Sequence, residues 1–399
     1  MIPDIFVVGA ARTPIGRYGG GLKSVHPAEL GAVAARAALE RAAVDRARVD
    51  LVIIGHGRQA GSGPNPARQV GRRMGLGDEV PAWTLNQACT SGLQAVAAAA
   101  QAIANGDAQV VVAGGIESMS RMPYLIDADD ARWGHRMGNF TLVDAMYRDG
   151  FRCSVCNLVM GETAELLARD YGISREASDA FALESQTRAE AAMRARRFDE
   201  EIVPVHVAGP KGSTTIAVDE HPRPGTTLEM LRKLPPAFPD VEGLPGIITA
   251  GSASGITDGG AAVCVAGETA VRSCGLRPLA RLLGWTTVGV DPERMGIGPV
   301  PAVRKLLDRL QLTLNDFDLV ELNEAFAPQV LAVLADLPID RDRLNVNGGA
   351  IALGHPIGCT GTRILVTLVH ELRRRRARRG LATLCVSGGL GMALGIEIV

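Results

Sequence analysis

The chain has no apolar run long enough to cross a bilayer. Its longest runs, such as Ala95 to Ala100 and Leu51 to Gly55, fall far short of the roughly 20 residues that a spanning helix needs. It has almost no net charge, formally -1 from 42 basic and 43 acidic side chains, so the overall balance points neither to nucleic acid nor to a membrane surface as the main partner. It is poor in lysine, with only Lys23, Lys211, Lys233 and Lys305, and this carries no functional reading. An even cysteine count is missing as well. Cys89, Cys153, Cys156, Cys264, Cys274, Cys359 and Cys385 are seven and scattered, which argues against a disulfide framework and for reduced thiols, one or more of them reactive. The first residues carry no basic segment ahead of an apolar one, so a secretory leader is not expected and the cytoplasm is the default location.

What is present is an ordinary globular composition, 399 residues with 47% hydrophobic and 21% charged, enough for two or three domains. Short β-branched runs alternate with alanine-rich segments, the pattern of an α/β protein with buried, mostly parallel strands. Strands are predicted over 5–8, 51–54 and 109–113, the last closed by a turn at Gly114-Gly115. Helices are predicted over 27–46, started by Pro27, and over 90–104. From about 121 to 250 the pattern is irregular, with helices predicted over 162–170 and 175–197, Ser174 as N-cap of the second, and a linker at Leu234-Pro235-Pro236. This stretch reads as an inserted loop domain. Beyond it the alternation of strand and helix returns: Val49 to Gly55 is echoed by Phe317 to Asn323, and Gly106 to Gly115 by Gly380 to Gly389, which implies two related halves facing each other.

Chemistry in such folds sits where a strand turns into a helix, because the first helical N–H groups are unpaired and favour negative charge. Cys89, in Asn86-Gln87-Ala88-Cys89-Thr90-Ser91-Gly92, stands at such a join, where a thiol is expected to shift from about 8.5 toward neutrality; the plain alternative is a small buried residue at a helix start. In Asn345 to Gly358, rich in glycine, Pro356 stiffens the turn that holds His355, a candidate base. Cys385 ends an apolar strand running into Ser387-Gly388-Gly389, and Asn323-Glu324-Ala325-Phe326 follows another strand and offers an amide to hold a water.

Together with Arg12-Thr13-Pro14-Ile15-Gly16, Gly114-Gly115-Ile116-Glu117-Ser118-Met119-Ser120 and Thr249 to Gly255, these motifs resemble, in order and spacing and over nearly the whole chain, the thiolase family. The resemblance implies a five-layered αβαβα core of two duplicated halves, residues 1–120 with 252–275 and residues 276–399, under a loop domain over 121–251. It implies an acyl-CoA:acetyl-CoA C-acyltransferase that cleaves 3-ketoacyl-CoA or condenses acetyl-CoA reversibly. Cys89 is then the nucleophile, His355 its base and Cys385 the second acid/base. His355 and a water on Asn323 receive the enolate oxygen, and the N–H groups of Cys89 and Ser387 receive the tetrahedral oxygen. Ser254 and Arg223 contact coenzyme A, and Met160, Met295 and Phe326 line the acyl pocket. No metal or prosthetic group is expected, coenzyme A being substrate and product, and a homodimer or homotetramer is the expected assembly.

Two positions depart from the family pattern. Ser387 stands where glycine is common, keeping the N–H but not glycine's full conformational range. Val159 replaces a histidine typical of short-chain biosynthetic members, which favours medium-chain 3-ketoacyl-CoA over dedicated acetoacetyl-CoA chemistry. Three features read as bland: Cys153-Ser154-Val155-Cys156 as structural cysteines or a loop staple, Cys359-Thr360-Gly361 as packing, and the arginine-rich run from Arg373 to Arg379 as a solvated helix end. The competing readings are a decarboxylating ketoacyl synthase, which uses two histidines, a non-catalytic CoA- or lipid-binding relative, and a cysteine hydrolase.

Overall fold

The computed structural model describes residues 4–210, 212–238, 241, 243 and 245–399; Met1 to Pro3, where the expectation about a leader begins, and Lys211 lie outside them. The strands of the core are β1 (Ile5–Arg12), β2 (Leu51–His56), β3 (Ala82–Leu85), β4 (Val110–Ser118), β5 (Thr257–Gly267), β6 (Ala280–Gly289), β7 (Leu319–Leu322), β8 (Arg379–Val386) and β9 (Leu390–Ile398). They lie in one 10-stranded sheet in the order β7-β8-β9-β6-β1-β5-β4-β2-β3, with Gly16–Arg17 pairing onto β5. The series β1-β5-β4-β2 in the first half recurs as β6-β9-β8-β7 in the second, so the duplication visible in the sequence is a duplication of topology. The halves are stitched along their edges by the short β1–β6 pairing, Phe6 opposite Arg281 and Val7 opposite Ala280.

The expectation of mostly parallel strands fails. Among the named strands only β2 with β3, β2 with β4, and β7 with β8 run parallel. The late strand of each half, β5 or β9, inserts antiparallel to both of its neighbours. Both faces of the sheet are covered, so every strand reads as an apolar run whatever its direction.

Side chains alternate across each strand and build the layers. Val52, Ile54 and Val112 face outward onto α1 (Pro27–Arg41) and α2 (Pro66–Arg73). Ile53, Val111 and Ala113 face inward onto α3 (Ser91–Asn105). In the second half Leu384, Met392 and Leu394 face inward onto a long helix at Ile357–Arg375, and Val320, Leu322 and Leu381 face outward onto α6 (Pro299–Leu310) and α7 (Ala327–Asp336). With the long helix named α8, α3 and α8 form the shared middle layer of a five-layered αβαβα core. Between the halves run α4 (Met160–Asp170) and α5 (Arg175–Arg194), with Ser174 Oγ accepting from Ala177 N at 3.2 Å as its N-cap. This inserted region is tied to the core by Arg12, which is fully buried between Glu201 Oε1 at 2.6 Å and both carboxylate oxygens of Asp219 at 2.7 and 2.9 Å. Losing either acid would strand a buried charge.

Helix α1 stops at Arg41, five residues short of its expected end, because Ala43 turns back with φ +52°; α5 stops at Arg194, ahead of Arg196 at φ +55°. The turn expected at Gly114-Gly115 is not a turn either: β4 runs on to Ser118. A Cβ on Gly115 would lie 2.1 Å from the Gly358 carbonyl oxygen, so glycine here thins the strand to admit the start of α8. Gly115→Ala is therefore expected to destabilise the fold by about 1–3 kcal/mol, as overpacking typically does. Urea unfolding tests this, and an unchanged midpoint would contradict it.

Candidate active site

Cys89 lies in the short 3-10 turn Ala88–Thr90 that leads into α3. The turn is held in a strained form. Ala88 has φ +46°, a conformation costing on the order of 1 kcal/mol or more for a residue with a side chain. Local hydrogen bonds hold it there: Ala88 N donates to Asn86 Oδ1 at 2.9 Å, Ser91 Oγ donates to the Ala88 carbonyl at 2.7 Å, and Thr90 Oγ1 donates to the Gln87 carbonyl at 3.0 Å. The Cys89 sulfur is thereby aimed at its own N–H and that of Ser387, with the Arg58 guanidinium nearby. Even so, burial dominates and pushes the thiol up, against the pull of Arg58 and the two N–H groups. The downward shift expected at a helix start is therefore not found, and a nucleophilic Cys89 would need a base.

His355 is the candidate base. It is 7% exposed, and its ring is pushed down to about 3, first by burial and then by the charges of Arg363 and Arg58, so it is neutral throughout the ordinary pH range. Its tautomer follows from its partner. The Thr360 hydroxyl lies 2.7 Å from His355 Nδ1 and donates its only proton to the Pro356 carbonyl at 2.9 Å. It must then accept from Nδ1–H, leaving the lone pair on Nε2. The loop is pinned on both sides: His355 N donates to the Gly255 carbonyl at 2.9 Å, and Gly358 N donates to the buried Glu117 carboxylate at 2.9 Å. Glu117 also accepts from Arg58 N at 3.3 Å and lies 3.0 Å from His56 Nε2, so it joins the two halves under the site.

Cys385, at the end of β8, is 1% exposed, and its thiol is pushed far up by burial and then by Cys89. It packs with Met295, Ala325, Met160 and Phe326, while Cys89 packs with Met119, Met146, Ile357, Met122 and Phe151; these are the apolar walls. Beside Cys385, Asn323 is 1% exposed and neither atom of its amide has a protein partner. Such an orphaned buried amide is rare and costs about 1–3 kcal/mol. Its backbone is braced by Asn345, which bonds Leu322 on both its N–H and its carbonyl and reaches Glu324 at 2.8 Å. Ser387 is not among the described residues with positive φ; the turn places Gly388 and Gly389 there, at φ +88° and +84°, so serine fits where it stands.

The remaining expected residues lie apart from the thiols. Arg223 borders a cavity of about 170 Å³ lined also by Gln186, His221, Leu231, Ala250 and Gly251. Ser254 stands between that cavity and the site, its N–H donating to the Ala325 carbonyl at 2.9 Å. Val159 is half-buried at the start of α4 and belongs to neither apolar wall. Cys359 lies in the central core, its thiol pushed up to about 12 by burial. Arg374 and Arg375 end α8 in ion pairs with Glu371. Sequence reasoning missed Thr360, which sat in the Cys-Thr-Gly echo read as packing, and Arg58, which carried no motif.

Comparison with known proteins agrees with this architecture. Residues 5–269 match the family model described as thiolase, N-terminal domain, and residues 276–398 the one described as thiolase, C-terminal domain. The chain is 50% identical to an acetyl-CoA acetyltransferase of Cupriavidus necator over 99% of both chains. Its fold superposes on the Bacillus anthracis acetyl-CoA acetyltransferase with TM-score 0.96 at 43% identity, covering 100% of this chain and 99% of that one. It also superposes on human mitochondrial 3-ketoacyl-CoA thiolase in complex with CoA, with TM-score 0.94 at 45% identity, covering 100% and 98%. The fold and these likenesses define an acyltransferase. The chain belongs to the thiolase family.

Thr360→Val is expected to free the His355 ring and lower turnover roughly tenfold or more, part of the 10²–10⁴-fold that a positioned base contributes, while Thr360→Ser retains it. Steady-state thiolysis by both variants checks this; equal rates would refute the tautomer argument.

Proposed function

We propose that the protein is a thiolase acting on coenzyme A thioesters through an acyl-Cys89 intermediate. The observation that carries this is the convergence of two N–H donors on the half-buried Cys89, with a second thiol, Cys385, close enough for its ionisation to feel the first. In cleavage, His355 Nε2 takes the Cys89 proton and the thiolate attacks the 3-keto carbon. The N–H groups of Cys89 and Ser387 receive the tetrahedral oxygen, each such donor contributing roughly 3 kcal/mol. The C2–C3 bond then breaks. The departing thioester enolate is met by the His355 imidazolium and by a water on the free Asn323 amide, and is protonated by Cys385, which its dry setting keeps protonated until a strong base forms beside it. The thiolate left on Cys385 takes the proton of incoming CoA, whose sulfur attacks acyl-Cys89; His355 returns its proton to the Cys89 sulfur as the shortened acyl-CoA leaves. Condensation is the reverse. No metal or prosthetic group enters these steps.

Coenzyme A enters past Arg223 and Ser254, and Met160, Met295 and Phe326 bound the acyl group. The substrate we favour is 3-ketoacyl-CoA of short to medium length, although Val159 supports this less directly than a wall residue would; a dedicated acetoacetyl-CoA thiolase is the alternative, favoured by the names of the bacterial relatives. The division into an N-terminal half of residues 1–120 with 252–275, a loop domain over 121–251 and a C-terminal half of 276–399 is part of the same reading. So is a cytoplasmic location: no described helix is long and apolar enough to cross a membrane. A homodimer is supported by β3, the edge strand of the first half, whose Trp83 is 48% exposed. A tetramer is supported by the exposed apolar excursion that includes Tyr124, Trp133, Met137 and Phe140.

Cys89→Ala and Cys385→Ala are each expected to lose several orders of magnitude in thiolysis of acetoacetyl-CoA and 3-ketohexanoyl-CoA, followed by loss of the enolate absorbance. The wild-type rate ratio fixes the chain length. A wild type inactive on both substrates would point to the binding relative instead.

A further inference from the structure

The Cys153-Ser154-Val155-Cys156 segment is built as a clip between the two walls of the site. Asn157 N donates to the Cys153 carbonyl at 2.8 Å, closing a single helical turn, and Cys153 N donates to the Leu158 carbonyl at 2.8 Å. Arg152 and Val159 pair as an antiparallel bridge below it, and Arg152 Nη1 donates to the Asn157 carbonyl at 2.8 Å. A turn of this kind holds Cα atoms three residues apart within about 7 Å, and a disulfide needs about 4.4–6.8 Å. The two thiols interact, and both are free. Cys153 is buried and Cys156 half-exposed, so one sulfur is open to solvent and the other stands behind it.

The position matters as much as the spacing. Just before the turn, Phe151 packs in the cluster around Cys89, and the Gly150 carbonyl accepts from Arg58 at 2.5 Å; just after it, Met160 packs in the cluster around Cys385. The Cys153 sulfur itself faces the N–H of Gly388, the residue that follows Ser387. The N–H groups of Cys156, Val155 and Gly388 and the Cys156 thiol outweigh burial and draw the Cys153 thiol down, whereas burial and Cys153 push the Cys156 thiol up; Cys153 is therefore the readier thiolate to attack a sulfur bonded to the more exposed Cys156.

We propose that Cys153 and Cys156 form a reversible dithiol–disulfide site that takes low-molecular-weight disulfides and slows the enzyme when closed, an effect on activity that rests on the thiolase reading above. The Cys156 thiolate attacks one sulfur of the oxidant RSSR, forming a mixed disulfide and releasing RS⁻. The Cys153 thiolate then attacks the Cys156 sulfur, closing the Cys153–Cys156 bond and releasing the second RS⁻. The two cysteine protons pass to the two departing thiolates, so two protein thiols are oxidised and one RSSR is reduced to two RSH. Closure turns the Cys153 sulfur from the Gly388 N–H to Cys156. The turn that presents the Ser387 N–H loses that contact, and the segment between Phe151 and Met160 is stiffened.

The test equilibrates wild type and Cys156→Ser in glutathione buffers from fully reduced to fully oxidised. It reads thiolysis of acetoacetyl-CoA and the mass of the peptide holding both cysteines. The expected result is loss of two hydrogens from that peptide in wild type, with kcat falling several-fold and returning with reductant, while Cys156→Ser keeps its activity throughout. Absence of the Cys153–Cys156 disulfide, a disulfide without change in kcat, or an equal loss in both proteins would each overturn the proposal. An inactive reduced wild type would instead overturn the thiolase reading, since the disulfide is read independently by mass.

Discussion

Helices α3 and α8 meet at their N-terminal ends with almost nothing between their backbones, and the rest of the site depends on that approach. A Cβ on Gly361 would fall 2.4 Å from the Leu93 nitrogen, so the two helices touch main chain to main chain. Because α3 and α8 occupy equivalent places in the duplicated halves, this contact sets the turn carrying Cys89 beside the turn carrying His355. Strand β8, which carries Cys385 near its end, and β7, which leads into Asn323, belong to the second half alone and reach the same point from below. The candidate nucleophile from one half and the candidate base from the other then need no long loop to bring them together, and Glu117, bonded to Gly358 and Arg58 on opposite sides of the seam, holds the register.

Burial at this seam reshapes the acid–base chemistry. In water a cysteine and a histidine titrate within about two units of each other. Here burial raises the Cys89 thiol and lowers the His355 ring, so the resting pair is uncharged. In the proposed reaction an ion pair is made only as substrate supplies a carbonyl for the thiolate and the N–H groups of Cys89 and Ser387 find an oxyanion. The left-handed Ala88 is a local cost of the turn that carries Cys89.

Much of the molecule was legible in the sequence because apolar periodicity and glycine-marked joins report burial and turns directly. Strands β2 and β4, helix α3, the Ser174 cap and the repeat of β2 as β7 all came from that signal. Strand direction did not, since Val110 to Val112 look the same whichever way a doubly covered strand runs. Gly114-Gly115 misled for a related reason: glycine marks close approach as readily as a turn, and the partner, Gly358, lies far away in the chain. The site motifs were recognisable as types of residue, but their acid–base state was not. The helix-start rule for Cys89 takes no account of how dry the turn is, and Thr360 matters only through a distance to His355 that no local pattern encodes.

In the proposed reaction Cys89, and no other thiol, is the covalent carrier. The direct measurement is mass spectrometry of the protein mixed briefly with acetyl-CoA and quenched in acid, with the acyl group located by peptide. One acetyl group on Cys89, absent from Cys385, Cys153 and Cys156, is the predicted result; an acetyl group on another cysteine, or none at any time before turnover, would contradict it.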